Sequence, residues 1–192
     1  MVDEKDRVAY AMHEKLMEQL QQFRTEERKL EYLENLLKKD PGQETRKTIF
    51  IMMATLQAQK RWYNSSAKSY SNAADLSKTF KEKIDLLLKS TILFTKASDY
   101  GSAEDMIRKA VVLGSSKEKE EIRESLVNIY LKQAQEYEGS KMFNKTIRVL
   151  NRLLTLKIDN ETRKNTQLRL IYLYEKVGQP IEANKIRQQM AD

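Results

Sequence analysis

Apolar residues recur every three or four positions along almost the whole chain, with polar residues filling the intervals. Val8, Met12, Leu16 and Leu20 form an i, i+4 ladder that predicts a helix over 4–23. Thr25 ahead of Glu26, Glu27 and Arg28 has the form of an N-cap. Leu30, Leu33, Leu36 and Leu37 then carry a second helix to Asp40, Pro41 and Gly42, which stop it. A third helix over 44–60 has Ile49, Ile51, Met52, Met53 and Leu56 apolar on nearly every side, the pattern of a helix buried on several sides. Asn64 or Ser65 is placed to cap a helix over 63–79, which carries the small residues Ala67, Ala73 and Ala74. Ile84, Leu87, Leu88, Thr91 and Phe94 make one band over 80–97. Asp99 or Ser102 opens 100–113, and Gly114 stands where a left-handed C′ residue closes a helix. Ser116, with Glu118, Glu120 and Glu121 at the positive end of the dipole, opens 117–138, and Gly139 ends it. The last helices are predicted over 142–157, 160–177 and 180–190. Asp159 or Asn160 caps the middle one, and Pro180 occupies a first helical position, where the missing N–H costs nothing.

About ten helices joined by a few residues each must run as antiparallel αα-hairpins. Composition agrees. Of 192 residues 40% are hydrophobic and 33% charged, with only five Gly and two Pro. Sheets and phosphate loops consume far more of both, and the scattered glycines form no GxGxxG or P-loop cradle. With no Cys there is neither a disulfide framework nor a thiolate metal site. The single histidine, His13, lies between the apolar stripe and the polar face of its helix and has no second imidazole to work with. No stretch approaches a membrane span, and the charged N-terminus does not read as a secretory signal. The expectation is an all-α, cytoplasmic, non-enzymatic chain without cofactor or metal.

The hairpins either close into a bundle or stack as a solenoid, and internal repetition favours the stack. Phe94 to Leu113, Tyr137 to Leu156 and Tyr174 to Ile186 follow one template: an aromatic near a helix end, a tight turn, then a small residue (Ala103, Thr146, Ala183) early on the next helix. The aromatics are 43 and 37 residues apart, the length of two helices and two turns. This template resembles the tetratricopeptide repeat family. The matching residues are Asp99, Tyr100, Ala103, Ala110 and Leu113, then Tyr130, Ala134, Tyr137 and Phe143, then Tyr174, Gly178 and Ala183. Thr91 stands where the family usually has glycine, and the spacings exceed its period of about 34 residues. The longer helices look more like the divergent SNAP-type members. The resemblance implies a right-handed solenoid forming one domain over 1–192, with degenerate hairpins in 1–83 and clearer repeats at 84–126, 127–159 and 160–192.

In such a solenoid the first helix of each pair lines a concave groove. That register assigns Leu88, Lys89, Ile92 and Lys96, then Leu131, Lys132 and Gln135, then Leu168, Arg169, Tyr172 and Lys176 to the groove. Each copy pairs a leucine with a basic residue. Leucine replaces the lysine, and Ile92, Gln135 and Tyr172 replace the asparagine, of the family's carboxylate clamp. An apolar seam edged by cations suits a peptide or amphipathic helix of a partner protein with acidic flanks.

The net charge of +7 is uneven: −2 over 1–43, +5 over 44–99, −2 over 100–138 and +6 over 139–192. Lys141, Lys145, Arg148 and Arg152 step by four, three and four, a basic stripe along one helix that the register puts on the convex back. The alternative function is therefore a nucleic-acid or anionic-surface binder, although the stripe lacks stacking aromatics. A further alternative is a subunit of a larger helical assembly, including a homodimer through the amphipathic N-terminal helix. Asn184, Lys185, Arg187, Gln188 and Gln189 make the last helix polar enough to cap a stack.

Overall fold

The computed structural model describes residues 14–191, so His13, Val8 and Met12 lie outside the described residues. The described chain is all-helical, without a strand. Residues 14–21 form α1. It is followed by α2 (Glu26–Lys38), α3 (Gln43–Gln59), α4 (Tyr63–Leu76), α5 (Phe80–Lys96) and α6 (Tyr100–Leu113). Then come α7 (Ser116–Gly139), α8 (Phe143–Leu154), α9 (Asn160–Lys176) and α10 (Pro180–Ala191). Neighbours in sequence pack on one another in two compact units, divided between Ser115 and Ser116. That boundary falls inside the 84–126 span, which takes in the start of α7.

In the first unit Leu16, Leu20, Leu30, Leu33, Ile49, Met52 and Met53 form one buried cluster that joins α1, α2 and α3. The Tyr32 hydroxyl donates to Gln19 Oε1 at 2.8 Å, and its ring lies 5.1 Å from that of Phe23. The buried side of α4 is Ser66, Ala67, Ser69, Ala73 and Ala74. Small residues let its neighbours approach, and three serine hydroxyls bridge the contacts. Ser66 donates to the Ala54 carbonyl at 2.6 Å, Ser69 to Gln57 Oε1 at 2.8 Å, and Ser90 of α5 to the Ala67 carbonyl at 2.8 Å. Buried hydroxyls are tolerated because each has an acceptor.

Four of the interhelical turns share one geometry. After α3, α5, α7 and α9 the chain passes through a single left-handed residue: Arg61 (φ 59°), Ser98 (φ 62°), Lys141 (φ 58°) and Gly178 (φ 77°). In each, that residue's N–H returns to the carbonyl three residues back, at 2.9–3.0 Å. The next N–H returns to the carbonyl five residues back, on Gln57, Phe94, Tyr137 and Tyr174, at 2.7–2.9 Å. These paired bonds satisfy the last helical carbonyls in the Schellman manner. The Asp40 turn also has a left-handed residue (φ 50°), but Pro41 follows and has no N–H for the longer bond. Five residues after each of the four left-handed residues sits Ser66, Ala103, Thr146 or Ala183, all fully buried. Thr91, where glycine was missing, is fully buried too. Its hydroxyl lies 2.9 Å from the Leu87 carbonyl and 3.4 Å from that of Ala103.

Several local expectations need correction. Neither Asn64 nor Ser65 caps α4. Trp62 is the N-cap and supplies no side-chain bond, because the preceding turn has already fixed the helix start. Gly114 ends α6 in extended backbone (φ −76°, ψ 152°), not as a left-handed C′ residue. Gly139 ends α7 as expected, and the left-handed residue of the turn after it is Lys141. Asp99, Asp159 and Thr25 cap as expected, accepting from Ser102 N at 3.1 Å, Thr162 N at 2.8 Å and Arg28 N at 3.4 Å.

Candidate functional site

Within the second unit, α7 and α9 share one face. Glu124, Val127, Asn128 and Leu131 of α7 line a cleft of about 760 Å³ with Lys157, Ile158, Asp159 and Thr162 at the start of α9. Its wall also holds Glu120 and Arg123, paired at 3.0 Å. A smaller hollow of about 170 Å³ continues between Leu131, Thr162, Asn165, Thr166 and Arg169, floored by Leu150 of α8. Leu131 therefore borders both. Beyond it Arg169 Nε donates to Glu138 Oε2 at 2.6 Å, and Nη2 binds the same oxygen. This ion pair, about 29% exposed on each side, ties the end of α7 to the middle of α9.

The local sequence explains the placement. Tyr130, Gln133, Ala134 and Tyr137 are the buried positions of the second half of α7, so Leu131 and Gln135 are turned from the core by helical spacing. On α9 the buried positions are Thr166, Leu170 and Leu173, which leaves Asn165, Leu168 and Tyr172 as an outward stripe. Leu168 is 50% and Tyr172 52% exposed, large values for such side chains, and the stripe begins at Asn165 in the hollow.

The expected groove residues divide between the units. Leu88, Lys89, Ile92 and Lys96 lie on α5 of the first unit. Leu88 is half-buried and Ile92 exposed, Lys89 sits over the Tyr70 ring at 5.7 Å, and Lys96 is half-buried and already engaged. In the second unit Leu131 lines the cleft, and Lys132 and Gln135 are exposed. Two expected cations are not free: Arg169 is neutralised by Glu138. Lys176 lies over the rings of Phe143 at 4.4 Å and Tyr172 at 5.1 Å and donates to the Tyr172 hydroxyl at 3.0 Å. Sequence reasoning missed Val127, Asn128, Ile158, Thr162 and Asn165. The first two lie one helical turn before Leu131, and Asn165 lies one turn before Leu168, so stepping back along each stripe would have found them.

Of the basic stripe, Lys145, Arg148 and Arg152 are on α8, but Lys141 is in the preceding turn, outside the helix. Lys145 and Arg148 are exposed, whereas Arg152 is half-buried and already engaged.

Asp159 at the cleft mouth is held below the usual carboxylate range by the Thr162 hydroxyl, which donates at 2.6 Å, and by the Thr162 N–H. It is an ionised helix cap rather than a proton donor. Among the described residues no group of three His, Asp or Glu side chains is placed to hold a metal ion. No described helix is long and apolar enough to cross a membrane. No protein-family model matches the chain, and no curated protein matches its sequence.

Proposed function

We propose that this chain is a helical-hairpin repeat protein of tetratricopeptide type and an interaction scaffold, holding a segment of another protein along the α7/α9 face. The observation that carries the reading is the outward stripe of Leu168 and Tyr172 beside the cleft at Leu131. Two large apolar side chains half-open to water, one turn apart on a helix, are the i, i+4 anchors that a partner helix or extended segment buries. The four turns of one geometry, each followed by a fully buried small residue, support the repeat assignment. Lys132, next to Leu131, is exposed and makes no ion pair among the described residues, so it is left for an acidic flank, while Arg169 and Lys176 are occupied at home.

The test is affinity capture with wild-type chain, a Leu131→Glu/Leu168→Glu variant and an Arg148→Glu/Arg152→Glu variant, read by mass spectrometry. Proteins lost only with the first variant are groove partners. Capture that survives the groove substitutions and disappears with the arginine ones overturns the reading.

A further inference from the structure

Among the described helices, α8 alone carries no acidic residue. The gap in acidity runs from Gly139 to Ile158, and the stretch holds Lys141, Lys145, Arg148, Arg152 and Lys157. The helix is sharply two-sided. Thr146, Ile147, Val149, Leu150 and Leu153 are buried, while Asn144, Lys145, Arg148, Asn151 and Thr155 at its end are exposed. Elsewhere several basic side chains are paired: Lys47 with Glu44 and Glu82, Lys60 with Glu27, Arg169 with Glu138, Arg187 with Glu175. Lys141, Lys145 and Arg148 make no ion pair among the described residues; the Lys145 ammonium only rests over the Tyr137 ring at 5.5 Å.

We infer that this α8 face is a second binding surface, separate from the α7/α9 cleft, and that it binds the phosphate backbone of a nucleic-acid duplex without reading sequence. Lysine and arginine beside an exposed asparagine, here Asn144, are side chains that contact phosphate oxygens. The Asn151 amide and the Thr155 hydroxyl already donate to the Tyr174 hydroxyl at 2.8 Å and the Arg152 carbonyl at 2.7 Å. A single strand would need exposed rings for its bases, and here Tyr137 is buried beneath Lys145. An acidic protein segment or a lipid surface would use an apolar anchor. The outward face of α8 offers none, and the nearest, Met142, is in the turn ahead of it. Lys145 and Arg148 stand about 4.5 Å apart along the axis of α8, and Lys141 precedes them in the turn. A duplex offers one phosphate charge per about 1.7 Å of its axis, so the three cations can each meet a separate phosphate.

The experiment is fluorescence anisotropy of a labelled mixed-sequence DNA duplex titrated with the whole chain over a series of salt concentrations. Three neutralised phosphates give a slope of log K against log salt of about −2.7, so a fourfold rise in salt weakens binding about 40-fold. Lys145→Gln/Arg148→Gln reduces the slope to about −0.9 and weakens binding at low salt, with helix content unchanged by circular dichroism. Leu131→Glu/Leu168→Glu leaves duplex binding intact, so this surface and the cleft fail or succeed independently. No binding, an unchanged slope in the double-glutamine variant, or displacement by poly-glutamate at equal charge overturns the inference. Tighter binding to phosphatidylserine vesicles than to duplex overturns it in favour of a membrane surface.

Discussion

Arg169 on α9 donates to Glu138 on α7, 31 residues away, through Nε at 2.6 Å and again through Nη2. Both side chains are about 29% exposed, so the pair is part-shielded and bidentate in donors, which places it above the median of surface ion pairs. Glu138→Gln and Arg169→Met should each cost about 1 kcal/mol of stability, and a double-mutant cycle by urea denaturation should return a coupling of the same size. Additive single losses would show that the two ends of the cleft are held by packing alone.

The outward stripe should behave oppositely. Leu168→Glu and Tyr172→Glu alter side chains that are already half in water, so each should change stability by no more than about 0.5 kcal/mol. Leu170→Ala and Leu173→Ala, one or two positions away but fully buried, should cost about 2–5 kcal/mol. Thermal unfolding of the four variants checks this. A large loss at Leu168 would mean that it is core rather than a free anchor.

The turns give a test with a predicted sign at each position. Gly178 has φ +77° and open space around the position a Cβ would take. Gly178→Ala should therefore cost about 1 kcal/mol through backbone strain alone. Lys141 and Ser98 pay that strain already, so Lys141→Gly and Ser98→Gly should each gain up to about 1 kcal/mol. Chemical denaturation midpoints decide. A loss on glycine substitution would sink the assignment of strain to these turns.

Where the helices cross, space is the constraint. Ala103, Ala183 and Ser66 are fully buried at the same offset from their turns. Ala103→Leu should overpack the crossing with Thr91 and cost about 1–3 kcal/mol, and Ala183→Leu should do the same in the last hairpin. Equal tolerance of leucine and alanine at these sites, measured by melting temperature, would contradict the close approach.

Charge sets the pH profile of the first unit. Glu44 accepts from Lys78 at 2.7 Å and Lys47 at 3.0 Å, and Lys47 also meets Glu82 at 2.8 Å. The hydrogen bonds from Lys78 and Lys47 hold the Glu44 carboxyl below its ordinary value. That contribution is complete above the unfolded-state value and is lost as pH falls through the folded one. For Lys47 burial is the largest influence and opposes its charge, but hydrogen bonds to Glu82 and Glu44 outweigh it and raise the ammonium. Its contribution is complete below the unfolded value and is lost as pH rises through the folded one. Urea midpoints should drop on both flanks, with Glu44→Gln flattening the acid flank and Lys47→Met the alkaline one. Unchanged flanks in those variants would assign the pH dependence to other groups.

The helices were legible because their signals are local. Asp99 and Asp159 cap their helices in the structure, and of the α5 band Ile84, Leu87, Thr91 and Phe94 are buried and Leu88 half-buried, because spacing on a helix fixes which side chains share a side. The aromatic spacing found three of the four like turns. The fourth escaped because Gln57, not an aromatic, supplies the carbonyl there, and a backbone bond leaves no mark on residue type. The cleft was half-legible: Leu131 and Leu168 lie on the expected helices, but Lys157 and Ile158, ahead of α9, border it by tertiary position.

What the chain's order of residues determined alone is an all-helical protein of short-linked hairpins with no cysteine and a single histidine. What only the tertiary structure decided is which cations remain available. Lys132, Lys145, Arg148 and Arg169 look alike in a charge count, yet Arg169 is neutralised by a carboxylate 31 positions earlier, whereas no carboxylate among the described residues pairs with Lys145 or Arg148. Pairing depends on distance through space, and a charge 31 residues away becomes a neighbour only after the chain has folded.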